Sequence, residues 1–199
     1  MKKIDSYISI DQYQQYPLDI FDHIYLIKGY RKNNQSSVMS QEVQDILKRF
    51  MPKDFIIARS PEGRPYAISK SGHVVSFSLS HCSDNLILAV SSDQNIGIDL
   101  ECLKERALSH RIAKRYFNDT GKLDLEEFYQ CWTAAESLSK ASGESLWQCL
   151  RLISFSKESE WQLCAYKINF ALIGQHYIMA LCRLVGNNRR LAYLGGDAE

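Results

Sequence analysis

The sequence IGIDLE at residues 96–101 alternates apolar side chains with two carboxylates. This alternation predicts a β-strand, because side chains two residues apart in a strand share a face. Ile98 and Leu100 would then point into the core, while Asp99 and Glu101 would project together from the opposite face. Taken alone, the two acids are solvated charges at the end of a strand. Any functional meaning depends on the residues that lie opposite them.

A second polar group lies in the sequence WTAAESLSK at residues 132–140, which is predicted to be helical. Glu136 and Lys140 are four residues apart, so they stand one turn apart on one side of the helix. By themselves they would form a surface ion pair worth about 0.2–0.5 kcal/mol. If this helix packs beside the strand at 96–101, three carboxylates and one ammonium group meet. Carboxylates that lie this close together stay ionised only if a cation is near them. Oxygen ligands of this kind suit Mg²⁺ and phosphate chemistry.

Four short motifs follow one another along the chain. They are Gly63-Arg64-Pro65, FSLSH at 77–81, GIDLE at 97–101 and the helical segment at 132–140, with IAKRYF at 112–117 between the last two. In their order and spacing these motifs resemble those of the phosphopantetheinyl transferases of the surfactin-synthetase-activating type. The resemblance covers roughly residues 62–146.

The resemblance implies an α+β fold made of two similar α/β halves, related by a pseudo-twofold axis, with the active site in the cleft between them. The halves would comprise residues 1–103 and 104–199. The implied activity is Mg²⁺-dependent transfer of the phosphopantetheine arm of coenzyme A to a serine of an acyl or peptidyl carrier protein, with release of adenosine 3′,5′-bisphosphate. Such carrier proteins serve fatty-acid, polyketide or nonribosomal-peptide biosynthesis. Coenzyme A and a carrier protein are therefore the implied partners.

The resemblance also implies a role for each acid and base in the motifs. Asp99, Glu101 and Glu136 would hold Mg²⁺ against the pyrophosphate of coenzyme A. Glu136, directly or through a water molecule, would accept the proton of the attacking serine. Lys140 and His81 would stabilise charge on the phosphates, as suits a reaction in which placement and electrostatics supply most of the catalysis.

Four residues are implied to bind coenzyme A: Arg64, Ser80, His81 and Lys140. Two of them also have a simpler interpretation. His81 would be a packed histidine with a satisfied hydrogen bond, and Arg64 would be an exposed turn residue. A planar guanidinium or a cationic histidine is nevertheless well suited to a phosphate.

The chain departs from the family pattern at four motif positions. Ala135 replaces the lysine that precedes the helix glutamate, Ser78 replaces an asparagine, Arg64 replaces a lysine, and Gly121 replaces a frequent glutamate. Two other functions therefore stay open. One is a degenerate homologue that binds coenzyme A or a carrier protein without efficient catalysis, and the other is an unrelated Mg²⁺-dependent phosphoesterase.

Composition narrows the class of protein. The 199 residues are 45% hydrophobic and 24% charged, as in an ordinary globular protein, and the net charge of +1 favours neither nucleic acid nor an anionic membrane as a partner. The apolar runs are too short to span a bilayer, and the first residues do not resemble a signal peptide, so a cytoplasmic protein is expected. The six cysteines include no Cys-x-x-Cys pair and are expected to be reduced. The three tryptophans are expected in the core.

The hydrophobic patterns predict a helix and several strands in each half. The predicted strands are 3–10, 22–27, 55–58, 74–79, 86–90, 96–100, 152–155, 161–170 and 177–184. The predicted helices are 41–50, 108–116 and 123–141, with Gly143 ending the last one.

Overall fold

The computed structural model describes residues 2–4, 16–19, 22–28, 41–48, 54–61, 63–91, 95–117, 123–158 and 160–185. The strands are β1 (Lys2–Ile4), β2 (Tyr16–Asp19), β3 (Asp22–Lys28), β4 (Phe55–Arg59), β5 (Pro65–Ser69), β6 (Val74–Cys82), β7 (Asn85–Ser91), β8 (Ile96–Cys102), β9 (Glu160–Leu163), β10 (Tyr166–Ile173) and β11 (Tyr177–Leu184). The helices are α1 (Gln41–Leu47), α2 (Ser109–Tyr116), α3 (Leu125–Ser142) and α4 (Leu146–Leu152). The mixture of helices with mainly antiparallel sheets confirms the α+β class.

Two sheets carry the fold. The first has the strand order β2-β3-β7-β6-β5-β4, and the second has the order β1-β10-β11-β8, with β9 paired to β10. Strand β8 lies at the edge of the second sheet and runs antiparallel to β11, from Ile96 opposite Arg183 to Cys102 opposite Tyr177. The division expected at 103/104 directly follows β8. That strand nevertheless pairs with the strands of the second half, so the sheets do not divide the chain at this point.

Three apolar clusters show how the layers stack. One cluster joins the facing sides of the two sheets and includes Ile87 and Ala89 of the first and Ile98 and Leu181 of the second. A second cluster lies between α1 and the outer face of the first sheet. The third and largest lies between α3, α4 and the outer face of the second sheet. The layers therefore run α1, first sheet, second sheet, then α3 with α4.

Helix α3 packs directly on strand β8, and Gly97 makes this close approach possible. A Cβ atom at Gly97 would lie 2.6 Å from the backbone nitrogen of Ala141 and still closer to the carbonyl oxygen of Ser137. Real side chains do not tolerate such distances, so this position requires glycine. The strand and the helix that were predicted to meet are in direct backbone contact.

The ends of α3 follow from local capping chemistry. Asp124 accepts a hydrogen bond from the Glu127 backbone N–H, and the Glu127 side chain accepts one from the Asp124 backbone N–H, which completes a capping box. At the other end Gly143 adopts φ 81° and closes the helix, as predicted. Phe128, Cys131 and Leu138 of this helix are buried.

Several predicted elements differ from the structure after α3. The strand expected at 152–155 is absent among the described residues, because Ser145 and Gln148 form a second capping box that starts α4. The single strand expected at 161–170 is divided into β9 and β10 by a turn in which Cys164 has φ 53°. Strands β2 and β5 were not predicted. The extensions to 5–10 and 49–50 lie outside the described residues.

Among the described residues, no helix combines the length and the apolar character needed to cross a membrane. The six cysteines are all free thiols, of which three are buried (Cys131, Cys149 and Cys182). The tryptophans differ from one another. Trp161 is buried, Trp132 is half-buried, and Trp147 is 54% exposed, packing against Tyr116 with ring centroids 5.6 Å apart. The expectation of a core position is therefore wrong for Trp147.

Candidate active site

Asp99 is the centre of the polar group that faces α3. It lies in the middle of β8 with only 4% of its surface exposed, because α3 covers this face of the strand. Its Oδ1 atom accepts two hydrogen bonds, one from Lys140 Nζ at 2.7 Å and one from Ser80 Oγ at 2.7 Å. The structure thus joins three residues from three elements, as the sequence predicted for the acid and the lysine.

Lys140 reaches Asp99 from the last turn of α3. Its Nζ atom also donates to the backbone carbonyl of Ile98 at 3.0 Å, so the ammonium group is held by the strand at two points. The Lys140 side chain is 29% exposed and the Asp99 side chain 6%. Shielding of this kind makes the ion pair stronger than a surface pair and makes its disruption more costly.

Glu101 lies two residues further along β8, on the same face, and both of its carboxylate oxygens have partners. Oε1 accepts a hydrogen bond from Trp132 Nε1 at 3.2 Å, and Oε2 pairs with Arg106 Nη2 at 2.9 Å. Burial raises the pKa of Glu101 above its ordinary value, Arg106 lowers it, and Asp99 raises it again. The sequence predicted the carboxylate but neither of its partners.

Glu136 is the third acid of the group and lies on α3, one turn before Lys140. Among the described residues no hydrogen-bond donor contacts its carboxylate. Burial raises the pKa of Glu136 above its ordinary value; the charge of Asp99 raises it further, Lys140 lowers it, and Glu101 raises it. These influences show that the three acids share one electrostatic environment. Glu136 is the member in which neither carboxylate oxygen has a hydrogen-bond donor among the described residues.

Ser80 and His81 lie next to each other in β6 but face opposite sides of the first sheet. Ser78, Ser80 and Cys82 face β8: Ser78 Oγ accepts from the Ile98 N–H, and Cys82 Sγ accepts from the Cys102 N–H. His81 pairs with Leu86, whose side chain packs in the cluster beneath α1. The structure therefore places His81, which is exposed, on the face away from Asp99.

Arg64 lies in the turn between β4 and β5 and contacts the end of α3. Its Nη1 atom donates to the carbonyl of Ala141 at 2.5 Å, next in the chain to Lys140. A cation at the carboxyl end of a helix stabilises the helix, so this contact would stabilise the fold even without a ligand. Arg64 also lines a cavity of about 220 Å³, together with Tyr66 and Asn95. Arg64 lies beside the acid group, which consists of Asp99, Glu101 and Glu136, and is not part of it.

A larger cavity, of about 530 Å³, lies between α2 and the start of α3. Arg106 lines this cavity and at the same time pairs with Glu101. The cavity therefore borders the acid group on the side of Glu101.

The acid group offers a partial set of donors for a metal ion. Among the described residues, no three His, Cys, Asp or Glu side chains are already gathered as ligands. Asp99 and Glu101 are instead bound by Lys140 and Arg106. However, the Asp99 Oδ2 atom is buried and has no hydrogen-bond partner in the described part of the chain. An unpaired carboxylate oxygen in an acidic group fits a hard cation, and Mg²⁺ needs only one or two carboxylates beside water and phosphate.

Two residues of the site were not predicted from the sequence. Trp132 was expected to serve packing only, yet its indole N–H holds Glu101. It stands four residues before Glu136 on one side of the helix, and this spacing was a signal that could have identified it. Arg106 is the second of these residues. Its pairing with Glu101 depends on the path of the chain after β8 and has no short-range signature.

The segment that carries the acid group is similar to a known family. Residues 95–182 match the family model described as the 4′-phosphopantetheinyl transferase superfamily. This match includes β8 and α3 and therefore the acid group.

Three relatives show the same similarity. The 4′-phosphopantetheinyl transferase AcpT of Escherichia coli (strain K12) is 31% identical over 87 residues, which are 39% of this chain and 45% of the relative. AcpT of Salmonella typhi is 28% identical over 102 residues, 47% of this chain and 52% of the relative. A protein of Synechocystis sp., whose name assigns it provisionally to the same enzymes, is 26% identical over 105 residues, 48% of this chain and 43% of the relative. The matched segment thus spans about half the length of each, and the similarity supports the phosphopantetheinyl transferase family.

Proposed function

We propose that this protein is a phosphopantetheinyl transferase of the surfactin-synthetase-activating type. It would move the phosphopantetheine arm of coenzyme A to a serine of an acyl or peptidyl carrier protein. The observation that carries the proposal is the buried Asp99, bound by Lys140 from the facing helix, within a segment similar to the transferase superfamily. In the reaction the serine oxygen bonds to the β-phosphorus of coenzyme A, the bond from that phosphorus to the bridging oxygen breaks, and adenosine 3′,5′-bisphosphate leaves.

The metal-binding part of the proposal assigns Mg²⁺ to Asp99, Glu101 and Glu136. Two features support it: within the described part of the chain, Asp99 Oδ2 has no hydrogen-bond partner and no donor contacts the Glu136 carboxylate. When bound, the ion would neutralise charge on the pyrophosphate and on the leaving group. Glu101 would keep its orientation through the hydrogen bond from Trp132 to Oε1, and the ion would share Oε2 with Arg106.

Glu136 is proposed as the base that takes the serine proton, directly or through a water molecule. A base is most effective when its pKa lies near the working pH, and burial raises the pKa of this carboxyl. In addition, no hydrogen-bond donor among the described residues contacts this carboxylate. Lys140 would hold the phosphate oxygens from the same face of α3, one turn away.

Three further residues are proposed to bind coenzyme A. Ser80 would position Asp99 and line the phosphate site, because its hydroxyl already contacts Asp99. Arg64 and His81 lie further out, at the end of α3 and on the α1 side of the first sheet. They would therefore contact parts of coenzyme A remote from the phosphorus that reacts, and their loss would weaken binding more than turnover.

The two-halves arrangement of the family is part of the proposal. The layer order supports it, since each sheet is covered on its outer face by helix, α1 on the first and α3 on the second. The acid group receives Ser80 from the first sheet and Lys140 from the helix of the second half. The active site would thus use residues from both halves, and a cytoplasmic location stays a prediction.

The mass of a carrier protein tests this function directly. The carrier protein is incubated with coenzyme A, Mg²⁺ and the purified chain, and then weighed by mass spectrometry. A transferase adds the phosphopantetheine arm to the serine, and Glu136→Gln should remove this product. Lys167→Met, which alters an exposed ion pair on β10, is the control that should leave transfer unchanged. Cleavage of coenzyme A without transfer would indicate the phosphoesterase, and binding without either product would indicate the degenerate homologue.

A further inference from the structure

Lys140 supplies the positive charge next to the buried carboxylate of Asp99. Its ammonium group lies 2.7 Å from Asp99 Oδ1 and 3.0 Å from the carbonyl oxygen of Ile98, and Ser80 Oγ completes the set of contacts. Carboxylate and carbonyl oxygens of this kind are also the ligands of a small hard cation. The cation that the structure places at Asp99 therefore belongs to the chain itself.

The same arrangement explains why the acids are not gathered as metal ligands in the described part of the chain. One oxygen of Asp99 is used by Lys140 and Ser80, while the other is buried and has no hydrogen-bond partner among the described residues. Two full cations beside one carboxylate repel each other strongly where water is excluded. When a divalent cation binds Oδ2, its repulsion of the ammonium group makes it unfavourable for Lys140 to remain on Oδ1.

We infer that Lys140 is a displaceable counter-ion, which stabilises Asp99 in the metal-free protein and is released from it when a divalent cation binds. This inference rests on the proposed metal site and adds a role for Lys140 that precedes any chemistry. The released ammonium group stands one helical turn from Glu136, where an anionic ligand would meet it. Binding of the cation would thus deliver Lys140 to the substrate phosphates, and the two events would be coupled.

The first test compares Mg²⁺ binding to the wild-type protein and to Lys140→Met, by calorimetry and by thermal unfolding with and without Mg²⁺. Removal of the competing charge should lower the dissociation constant for Mg²⁺ by roughly 5- to 150-fold, the usual range for two coupled binding events. Without Mg²⁺ the variant should melt at a lower temperature than wild type, and Mg²⁺ should raise its melting temperature more. Lys167→Met is the matched control, because Lys167 pairs with Glu160 at an exposed site. An unchanged or weaker affinity in Lys140→Met would overturn the inference.

A second measurement uses the wild-type protein, in case Lys140→Met does not fold. The rate at which an N-hydroxysuccinimide ester acetylates Lys140 is followed by peptide mass spectrometry with and without Mg²⁺. Release from Asp99 should raise the rate at Lys140 and leave the rate at Lys167 unchanged. Equal or lower acetylation of Lys140 with Mg²⁺ would contradict the release.

The two proposals can fail separately. Transfer to a carrier protein, together with an affinity for Mg²⁺ that does not depend on Lys140, would leave the function intact and reject the counter-ion role. The expected change in affinity without any transfer would support the counter-ion role and reject the function. The double variant Lys140→Met, Asp99→Asn, which removes both charges, should fold and should bind Mg²⁺ weakly; tight binding would place the cation elsewhere and overturn the inference.

Discussion

Asp99 shows how a single pairing reverses an expectation based on charge alone. Three acids close together suggest repulsion, from which Asp99→Ala would be expected to raise stability without Mg²⁺. In the structure Asp99 instead binds Lys140 and Ser80. The loss of this carboxylate leaves a partly buried ammonium group and a hydroxyl without their acceptor.

We therefore predict that Asp99→Ala lowers the free energy of unfolding by about 1–3 kcal/mol, the cost of leaving a buried polar group unpaired. Urea denaturation in the presence of a chelator measures this quantity. Asp45→Ala is the control, because Asp45 forms an exposed pair with Lys48 and should change stability little. Higher stability of Asp99→Ala would mean that repulsion among the acids exceeds the pairing.

Glu136 gives a prediction on pH. Burial raises its pKa in the folded protein above the ordinary value of 4.5, so the folded state holds this proton more strongly than the unfolded state. Its contribution to stability is present at acidic pH and is lost as the pH rises through the raised pKa. Glu136→Gln should therefore unfold at a higher temperature than wild type at neutral pH, with a smaller decrease in stability above pH 4.5.

Thermal unfolding from acidic to neutral pH, in a chelator, checks this sign. Glu160→Gln is a useful comparison, because the exposed Glu160 has a pKa lowered by its hydrogen bond to Lys167, and any effect should have the opposite sign. Parallel pH profiles for Glu136→Gln and wild type would show that Glu136 titrates normally.

Prediction from the sequence succeeded at the residue level where spacing along one element decides the geometry. Asp99 and Glu101 share a face because they are two residues apart, and Glu136 and Lys140 because they are four apart. Several other partners that come from another element were missed or misplaced. Arg106 and Trp132 hold Glu101, and His81 faces away from the acids because the alternation of β6 assigns that face to Ser80.

At the level of elements, the contact of β8 with α3 depends on Gly97. We predict that Gly97→Ala lowers the free energy of unfolding by at least about 1–3 kcal/mol, since a methyl group there overlaps the α3 backbone. The variant should also lose transfer activity, because β8 and α3 carry the acids and Lys140. Denaturant unfolding and the carrier-protein assay measure the two effects.

The Gly72→Ala variant distinguishes the effect of a steric clash from the effect of backbone strain. Gly72 has φ +84°, and no atom of the described residues lies within 4 Å of the place that an alanine methyl group would take. The substitution therefore costs about 1–2 kcal/mol of strain but does not touch the site. Its transfer activity should match wild type. A Gly97→Ala variant with full activity and nearly normal stability would contradict the close packing of β8 on α3.

Ala135 is the most informative departure from the family pattern. The resemblance suggests that Ala135→Lys would restore a phosphate contact, but Ala135 is fully buried in the cluster between α3 and the second sheet. A lysine there must bury its charge or push the helix from the sheet. We predict a loss of at least about 2 kcal/mol in stability and no gain in transfer.

Melting temperature and the carrier-protein assay should be measured together for Ala135→Lys, with Ala135→Ser as a small-residue control. A folded Ala135→Lys variant with higher activity would show that the side chain reaches the cleft along the helix surface. It would also show that the natural chain lacks a catalytic cation.

Elements were predicted well where periodicity was long and caps were clear, as for α3 with Gly143. Elements were missed where a few polar or turn residues decide the structure against the apolar character of the segment. Ser145 and Gln148 start α4 in a segment expected to precede a strand, and the turn at Cys164 divides β9 from β10. Strand β5 was missed because its first residue is Pro65, which suits only the start or the edge of a strand.

At the level of the whole molecule, one apolar cluster joins the two sheets. Ile87 of β7 is fully buried there, against residues of β8, β10 and β11. We predict that Ile87→Ala lowers the free energy of unfolding by about 2–5 kcal/mol. Because the cluster is shared, the loss should affect both sheets in one transition.

Tryptophan fluorescence reports on the second half, which contains all three tryptophans, whereas far-ultraviolet circular dichroism reports on the whole chain. The two denaturation curves should coincide in wild type and shift together in Ile87→Ala. Separate transitions would show that the halves unfold independently. The sequence predicted most of the strands that build these layers, but not the pairing of β8 with β11.

The outer edge of β8 is covered in an unusual way. It lies at the end of its sheet, and the side chains of Ser78 and Cys82 accept hydrogen bonds from its backbone N–H groups at Ile98 and Cys102. An uncovered strand edge is a template on which another chain can add a strand and begin an aggregate. Until β6 docks during folding, the strand that bears the acids is such a template. Refolding yield should therefore fall as protein concentration rises, and more steeply in a variant that removes the Ser78 hydroxyl.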